Sequence, residues 1–171
     1  MNVSIIGSGS WATALAKIVM HNTTDIYWHI RRQEVIDEFV EIRRNPNHLE
    51  WAYFDVSRIH FSTDLNTVID QSDLIVLAVP SPYLKQSLDD ITVDMSQKMV
   101  ISAVKGMIPD ENLLVTEYMH KYFHVPEENL GVIAGPCHAE EIALERLSYL
   151  TVGCKDMEKA REWSQLFDTP Y

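Results

Sequence analysis

The six residues Gly7-Ser8-Gly9-Ser10-Trp11-Ala12 constrain this chain more than any others. They follow a short β-rich run, residues 2–6 (NVSII). They open residues 10–21 (SWATALAKIVMH), in which Ala14, Leu15, Ile18 and Val19 share one helical face. A strand that turns through G-x-G-x-x-G/A into a helix has a physical logic. Gly7 permits the tight turn, Gly9 leaves the backbone bare for close approach, and Ala12 lets the helix lie near the sheet. The helix N-terminus then offers unpaired N–H groups to an anion such as a pyrophosphate. An ordinary tight turn would carry the same glycines; the strand–turn–helix context at the head of the chain favours the ligand-binding reading.

The rest of the chain repeats the alternation. Strands are expected over 25–29, 59–61, 73–79, 98–103, 130–134 and 148–153. Helices are expected over 32–44, 64–70, 110–122, 138–145 and 156–167, with one more opened by Pro80-Ser81-Pro82. Residues 73–79 (DLIVLAV) are continuously apolar, the mark of a parallel strand buried on both faces. Asn45-Pro46-Asn47 ends the helix before it, and Asn45 to Leu49 form a loop near the expected cleft. Strands alternating with helices fold as right-handed βαβ units, so the fold class is α/β, with a doubly wound, mostly parallel sheet of the Rossmann type.

Composition narrows the possibilities. At 171 residues the chain fits one domain, residues 1–171. Such a domain buries about two-thirds of its unfolded surface and needs no disulfide or metal staple. Asp and Glu number 25 against 14 Lys and Arg, for a net charge of −11. That balance argues against non-specific nucleic-acid binding, which draws its affinity from basic residues. No apolar run reaches 18 residues, so no membrane span is expected. The N-terminus shows no signal peptide, and Cys137 and Cys154 form no C-x-x-C pair, which together point to the cytoplasm.

Four further groups sit where ligands of open α/β sheets bind, at the carboxyl ends of strands. The second strand ends in His29-Ile30-Arg31-Arg32, without the acid that usually holds a ribose 2′-hydroxyl. Two arginines suit a 2′-phosphate instead, pointing to NADPH over NADH; a solvated arginine pair at a helix start is the alternative. Pro80 follows a buried strand and either walls a cofactor or only stops the strand. Lys105 precedes Gly106 and either sets an ammonium beside the cofactor or lies on the surface. Gly135-Pro136-Cys137-His138-Ala139 turns from strand to helix. Cys137 is not expected to act as a nucleophile with His138, because adjacent helical residues do not face each other. His120 and His124 have metal-ligand spacing, but no third ligand is evident and no metal site is expected.

In this order the motifs resemble bacterial NAD(P)-dependent glycerol-3-phosphate dehydrogenase, over essentially the whole chain. The residues concerned are Gly7 to Ala14, Asn45-Pro46-x-x-Leu49, Val79-Pro80-Ser81, Lys105-Gly106 and Gly135-Pro136-x-x-Ala139-x-Glu141. The resemblance implies hydride transfer between NAD(P)H and the C2 carbonyl of dihydroxyacetone phosphate, giving sn-glycerol 3-phosphate for phospholipid synthesis. It implies cofactor contacts from Ser10, Trp11, Arg31, Arg32, Lys105 and Ala139, beside Gly7, Ser8, Gly9, Ala12 and Pro80 of the turns already described. It implies substrate contacts from Lys105, Gly135 and Cys137. The family often has Gly at position 12, Thr at 104 and Thr or Ser at 137, where this chain has Ala12, Val104 and Cys137. Relatives also carry a second, helical domain with the catalytic lysine. The chain therefore reads as the cofactor half of the enzyme, inactive alone, with no catalytic residue of its own. A homodimer is a possibility for the full-length protein, and an apolar patch is expected near the C-terminus where a second domain would dock. Two other readings stay open on the residues alone. One is a related dehydrogenase acting on a hydroxyacyl thioester or a sugar nucleotide, and the other is a nucleotide-sensing module without chemistry.

Overall fold

A computed structural model describes residues 1–170; Tyr171, the last residue of the expected domain, lies outside them. The strands are β1 (Val3–Ile6), β2 (Ile26–His29), β3 (Ile59–Ser62), β4 (Leu74–Leu77), β5 (Met99–Ser102), β6 (Met107–Ile108), β7 (Leu113–Leu114), β8 (Leu130–Ala134) and β9 (Thr151–Cys154). The helices are α1 (Ser10–Asn22), α2 (Gln33–Ile42), α3 (Leu65–Asp70), α4 (Ser81–Leu88), α5 (Val115–Phe123), α6 (Ala139–Ala143) and α7 (Met157–Gln165). Seven strands form the central sheet in the order β3-β2-β1-β4-β5-β8-β9. All neighbours are parallel except β8 and β9, which are antiparallel.

Helices cover both faces, as the unbroken apolar β4 requires. One layer packs Leu15, Trp28, Phe39, Ile142 and Trp163 around the helices α1, α2, α6 and α7. The opposite layer packs Val68, Leu84, Val100 and Met119 beneath α3, α4 and α5. In the first layer Trp28 meets Phe39 edge-on, with ring centroids 5.4 Å apart, and Phe54 at 5.7 Å. Edge-to-face pairs of this kind add about 1 kcal/mol each beyond their buried area. Strand order reverses at β1, which has β2 on one side and β4 on the other. The crevice outside the carboxyl ends of β1 and β4 is therefore the topological switch point.

Several elements depart from the sequence reading. The helix expected over 110–122 starts only at Val115, because Asp110 (φ 67°) and Asn112 (φ 52°) adopt left-handed conformations. These make the turn of a short antiparallel hairpin, β6 with β7. The helix expected to reach residue 44 stops at Ile42, where Arg43 turns left-handed at φ 56°. The last strand, expected over 148–153, spans Thr151–Cys154. Its antiparallel pairing with β8 leaves Leu147 and Tyr149 exposed in the connection before it. No helix is long and apolar enough to cross a membrane among the described residues.

Candidate functional site

The turn after β1 adopts the conformation that its glycines permit. Gly7 lies at φ +126°, and a Cβ there would stand 2.5 Å from the Ala78 carbonyl oxygen. A side chain is thus excluded by both conformation and space. Gly9 is the opposite case: a Cβ there would meet nothing within 4 Å, so its backbone borders open space. Ala12 is fully buried, which keeps α1 against the sheet. Gly9 is also the N-cap of α1, with no side chain capping the first turn and no acid in it. The first intrahelical bond is Thr13 N–H to the Gly9 carbonyl. The N–H groups before it are the orphan donors of a helix start, at the positive end of the helix dipole.

The carboxyl ends of four strands build one cleft of about 410 Å³. The turn after β1 supplies Gly9, Ser10 and Trp11; the end of β4 supplies Pro80; the end of β5 supplies Lys105; the loop after β8 supplies Cys137 and Ala139. The Lys105 ammonium stands 6.0 Å from the centre of the Trp11 ring, within cation–π range. Lys105 is exposed, so its charge is free to meet an anion or a carbonyl in the cleft.

Other predicted residues lie around this cleft rather than in it. Ser8 lies in the turn behind it, its carbonyl taking a bond from Asn45 Nδ2 at 2.9 Å. Arg31 lines a separate recess of about 360 Å³ past the end of β2, with His29, Thr63, Asp64, Gln86 and Asp90. Burial, reinforced by the Arg31 charge, holds the His29 imidazole below its usual pKa, against a hydrogen bond to the Thr63 backbone and the Asp64 charge. Arg32 is exposed, lies 3.8 Å from the Glu34 carboxylate, and is not among the residues lining that recess. Gly135 is not on the cleft wall. A Cβ there would stand 2.3 Å from the Tyr149 carbonyl oxygen, so its bareness serves packing against the 149–150 backbone. The Cys137 thiol is engaged with the same residue, donating to the Tyr149 carbonyl at 3.0 Å and accepting from its N–H at 3.2 Å. His120 bonds the Val125 carbonyl, and His124 ends α5 in a left-handed conformation, so the two do not form a helical pair.

Three residues that sequence reasoning did not assign to the site brace the glycine turn. Trp28 Nε1 donates to the Gly7 carbonyl at 2.7 Å. Asn45, almost fully buried, donates to the Ser8 carbonyl and to Thr13 Oγ at 2.8 Å. His48 Nδ1 lies 3.2 Å from Ser10 Oγ. The Asn-Pro-Asn break marked the loop holding Asn45 and His48, but only the fold brings it back over α1.

A mostly parallel sheet with an uncapped helix start and a glycine turn at its switch point defines a doubly wound dinucleotide-binding domain. Comparison with known proteins narrows the class. Residues 2–160 match the family described as the N-terminus of NAD-dependent glycerol-3-phosphate dehydrogenase, and the chain belongs to that family. The glycerol-3-phosphate dehydrogenase (NAD(P)+) of Bacillus subtilis (strain 168) is 30% identical over 169 residues, covering 96% of this chain and 48% of its own length. The enzyme of the same name from an Exiguobacterium strain is 29% identical over 167 residues, covering 96% of this chain and 49% of its own length. The glycerol-3-phosphate dehydrogenase of Plasmodium falciparum superposes with a TM-score of 0.88 at 29% identity, covering all of this chain and 50% of that one. The chain thus spans about half the length of the curated relatives it matches.

Proposed function

We propose that this chain is the cofactor-binding part of an enzyme that interconverts dihydroxyacetone phosphate and sn-glycerol 3-phosphate, using NADPH and accepting NADH. The observation that carries this reading is the convergence of an uncapped helix start, a bare Gly9 and Lys105 on one cleft, in a chain of this family. The residues fit the cofactor. The α1 start suits a diphosphate. Trp11, Pro80 and Ala139 offer apolar walls to the ribose and nicotinamide. Arg31, across the end of β2, suits a 2′-phosphate; Arg32, turned to Glu34, plays the smaller part.

The cofactor, when bound, supplies the hydride. The chain's own residues orient it and bring charge to the substrate. Lys105 is read as the shared contact, its ammonium polarising the carbonyl or holding the phosphate. Cys137 lines the same cleft and Gly135 stands just behind it; with their side-chain and Cβ space taken by Tyr149, they would meet substrate through the backbone. In this reading residues 1–171 form one dinucleotide-binding domain. A further helical domain supplies the catalytic lysine and completes the substrate site. The enzyme works in the cytoplasm as a homodimer and feeds glycerophospholipid synthesis.

The test compares this chain with the same chain joined to the second half of a full-length relative. The joined protein is expected to reduce dihydroxyacetone phosphate with NADPH, while the 171-residue chain binds the cofactor and turns over negligibly. Lys105→Met in the joined protein should cost about a hundredfold in kcat/KM, the scale of losing one charged contact to a polarised carbonyl. Full turnover by the short chain, or a Lys105→Met effect below threefold, would contradict the reading.

A further inference from the structure

The glycine turn is held by two buried side chains from distant parts of the chain, and both grip carbonyls. Trp28 Nε1 bonds the Gly7 carbonyl at 2.7 Å, and Asn45 Nδ2 bonds the Ser8 carbonyl at 2.9 Å. Asn45 uses both of its amide protons and its oxygen. Its second proton meets Thr13 Oγ at 2.8 Å, its oxygen accepts from Asn47 N–H at 3.0 Å, and Thr13 in turn donates to the Gly9 carbonyl at 2.9 Å. Asn45 and Trp28 are exposed by 1% and 0%. A buried amide held by three hydrogen bonds fixes the geometry of the groups it joins.

In a planar trans peptide the N–H of one residue is antiparallel to the C=O of the residue before it. A Gly7 carbonyl drawn onto Trp28 therefore turns the Ser8 N–H away from the core. A Ser8 carbonyl drawn onto Asn45 does the same to the Gly9 N–H, on the residue whose missing side chain leaves open space. We infer that Asn45 and Trp28 are positioning residues which aim the Ser8 and Gly9 N–H groups outward as a preset cradle for a diphosphate. They act through the backbone and touch no ligand. The inference rests on the dinucleotide-binding reading above and adds the residues that preorganise its anion site.

The test uses the 171-residue chain with two probes, ADP-ribose, which carries a diphosphate, and adenosine, which does not. Asn45→Ala and Trp28→Phe should each weaken ADP-ribose about tenfold, the scale of misaligned charge-assisted bonds, and leave adenosine within about twofold. In the free protein the amide resonances of Ser8 and Gly9 should move in both variants, without ligand. Trp28→Phe keeps an aromatic ring in the core, so it carries the test if Asn45→Ala fails to fold, as a thermal melt would reveal. Unchanged Ser8 and Gly9 resonances, or equal losses for both probes, would overturn the inference and leave only a packing role. Should the unaltered chain bind neither probe, the dinucleotide reading fails instead, and the ligand-free resonances still decide whether the two side chains set the turn.

Discussion

Gly7 and Gly135 each end a strand at the same edge of the sheet, and each is barred from carrying a side chain by a carbonyl, of Ala78 and of Tyr149 respectively. What stands behind them differs. The Gly7 turn is tied into the core by Trp28 and, through Ser8, by Asn45, and both of these side chains are buried. The Gly135 turn leans on a segment whose Leu147 and Tyr149 are 72% and 70% exposed, with the Cys137 thiol as its fastening. The dinucleotide side of the cleft is therefore preset by the fold's own interior, whereas the side read as the substrate's rests on a surface loop.

The largest effect that separates the two turns is expected from Gly7→Val. It adds atoms against a backbone carbonyl at a positive φ, and should cost about 4 kcal/mol, the scale of a clash combined with backbone strain. Urea denaturation should register the loss, and cofactor binding should vanish with it. Gly135→Ala is expected to cost less, about 2 kcal/mol, because it meets the Tyr149 carbonyl without the positive φ that adds strain at Gly7. Cofactor affinity should stay within about twofold, since that turn only borders the dinucleotide side. Equal loss of binding in both variants would erase the distinction.

Arg31→Ala should weaken NADPH about tenfold and NADH hardly at all, the signature of a lost guanidinium–phosphate contact. Arg32→Ala should change either by less than about twofold, because Arg32 lies outside the recess that Arg31 lines. Titration calorimetry with both cofactors checks this.

The smallest effect concerns pH. His29 at the end of β2 is held below its usual pKa chiefly by burial, so the folded chain favours neutral imidazole. Its contribution is present above the unfolded value of about 6.5. It is lost as pH falls through the lower folded value, because the unfolded chain takes up the proton first. The urea midpoint should fall between pH 7.5 and 5.5, and His29→Asn should flatten that slope. A midpoint that rises on acidification would contradict the assignment.

Most of the strand and helix order was legible because apolar runs and glycine turns are local. The β1 turn was legible for the same reason: Gly7, Gly9 and Ala12 each answer a steric demand set by their immediate neighbours. The hairpin at 107–114 was not, because Asp110 and Asn112 adopt left-handed conformations that helical spacing does not signal. Asn45 and Trp28 were also missed as parts of the site. Their bonds to the glycine turn span 37 and 21 residues, and only the closed sheet creates those contacts. Arg31 and Arg32 read alike as neighbours in sequence, and the start of α2 sends them to different surroundings.

The central claim is that the turn at Gly7 to Ala12 and the walls facing it hold a dinucleotide. It is tested most directly by titrating the isotope-labelled chain with NADPH and following each backbone amide. The account predicts saturable shifts at Ser8, Gly9, Ser10, Trp11, Lys105 and Ala139, with Gly131 and Trp163, on the far packing of β8, unmoved. Shifts centred elsewhere, or none at saturating cofactor, would contradict it.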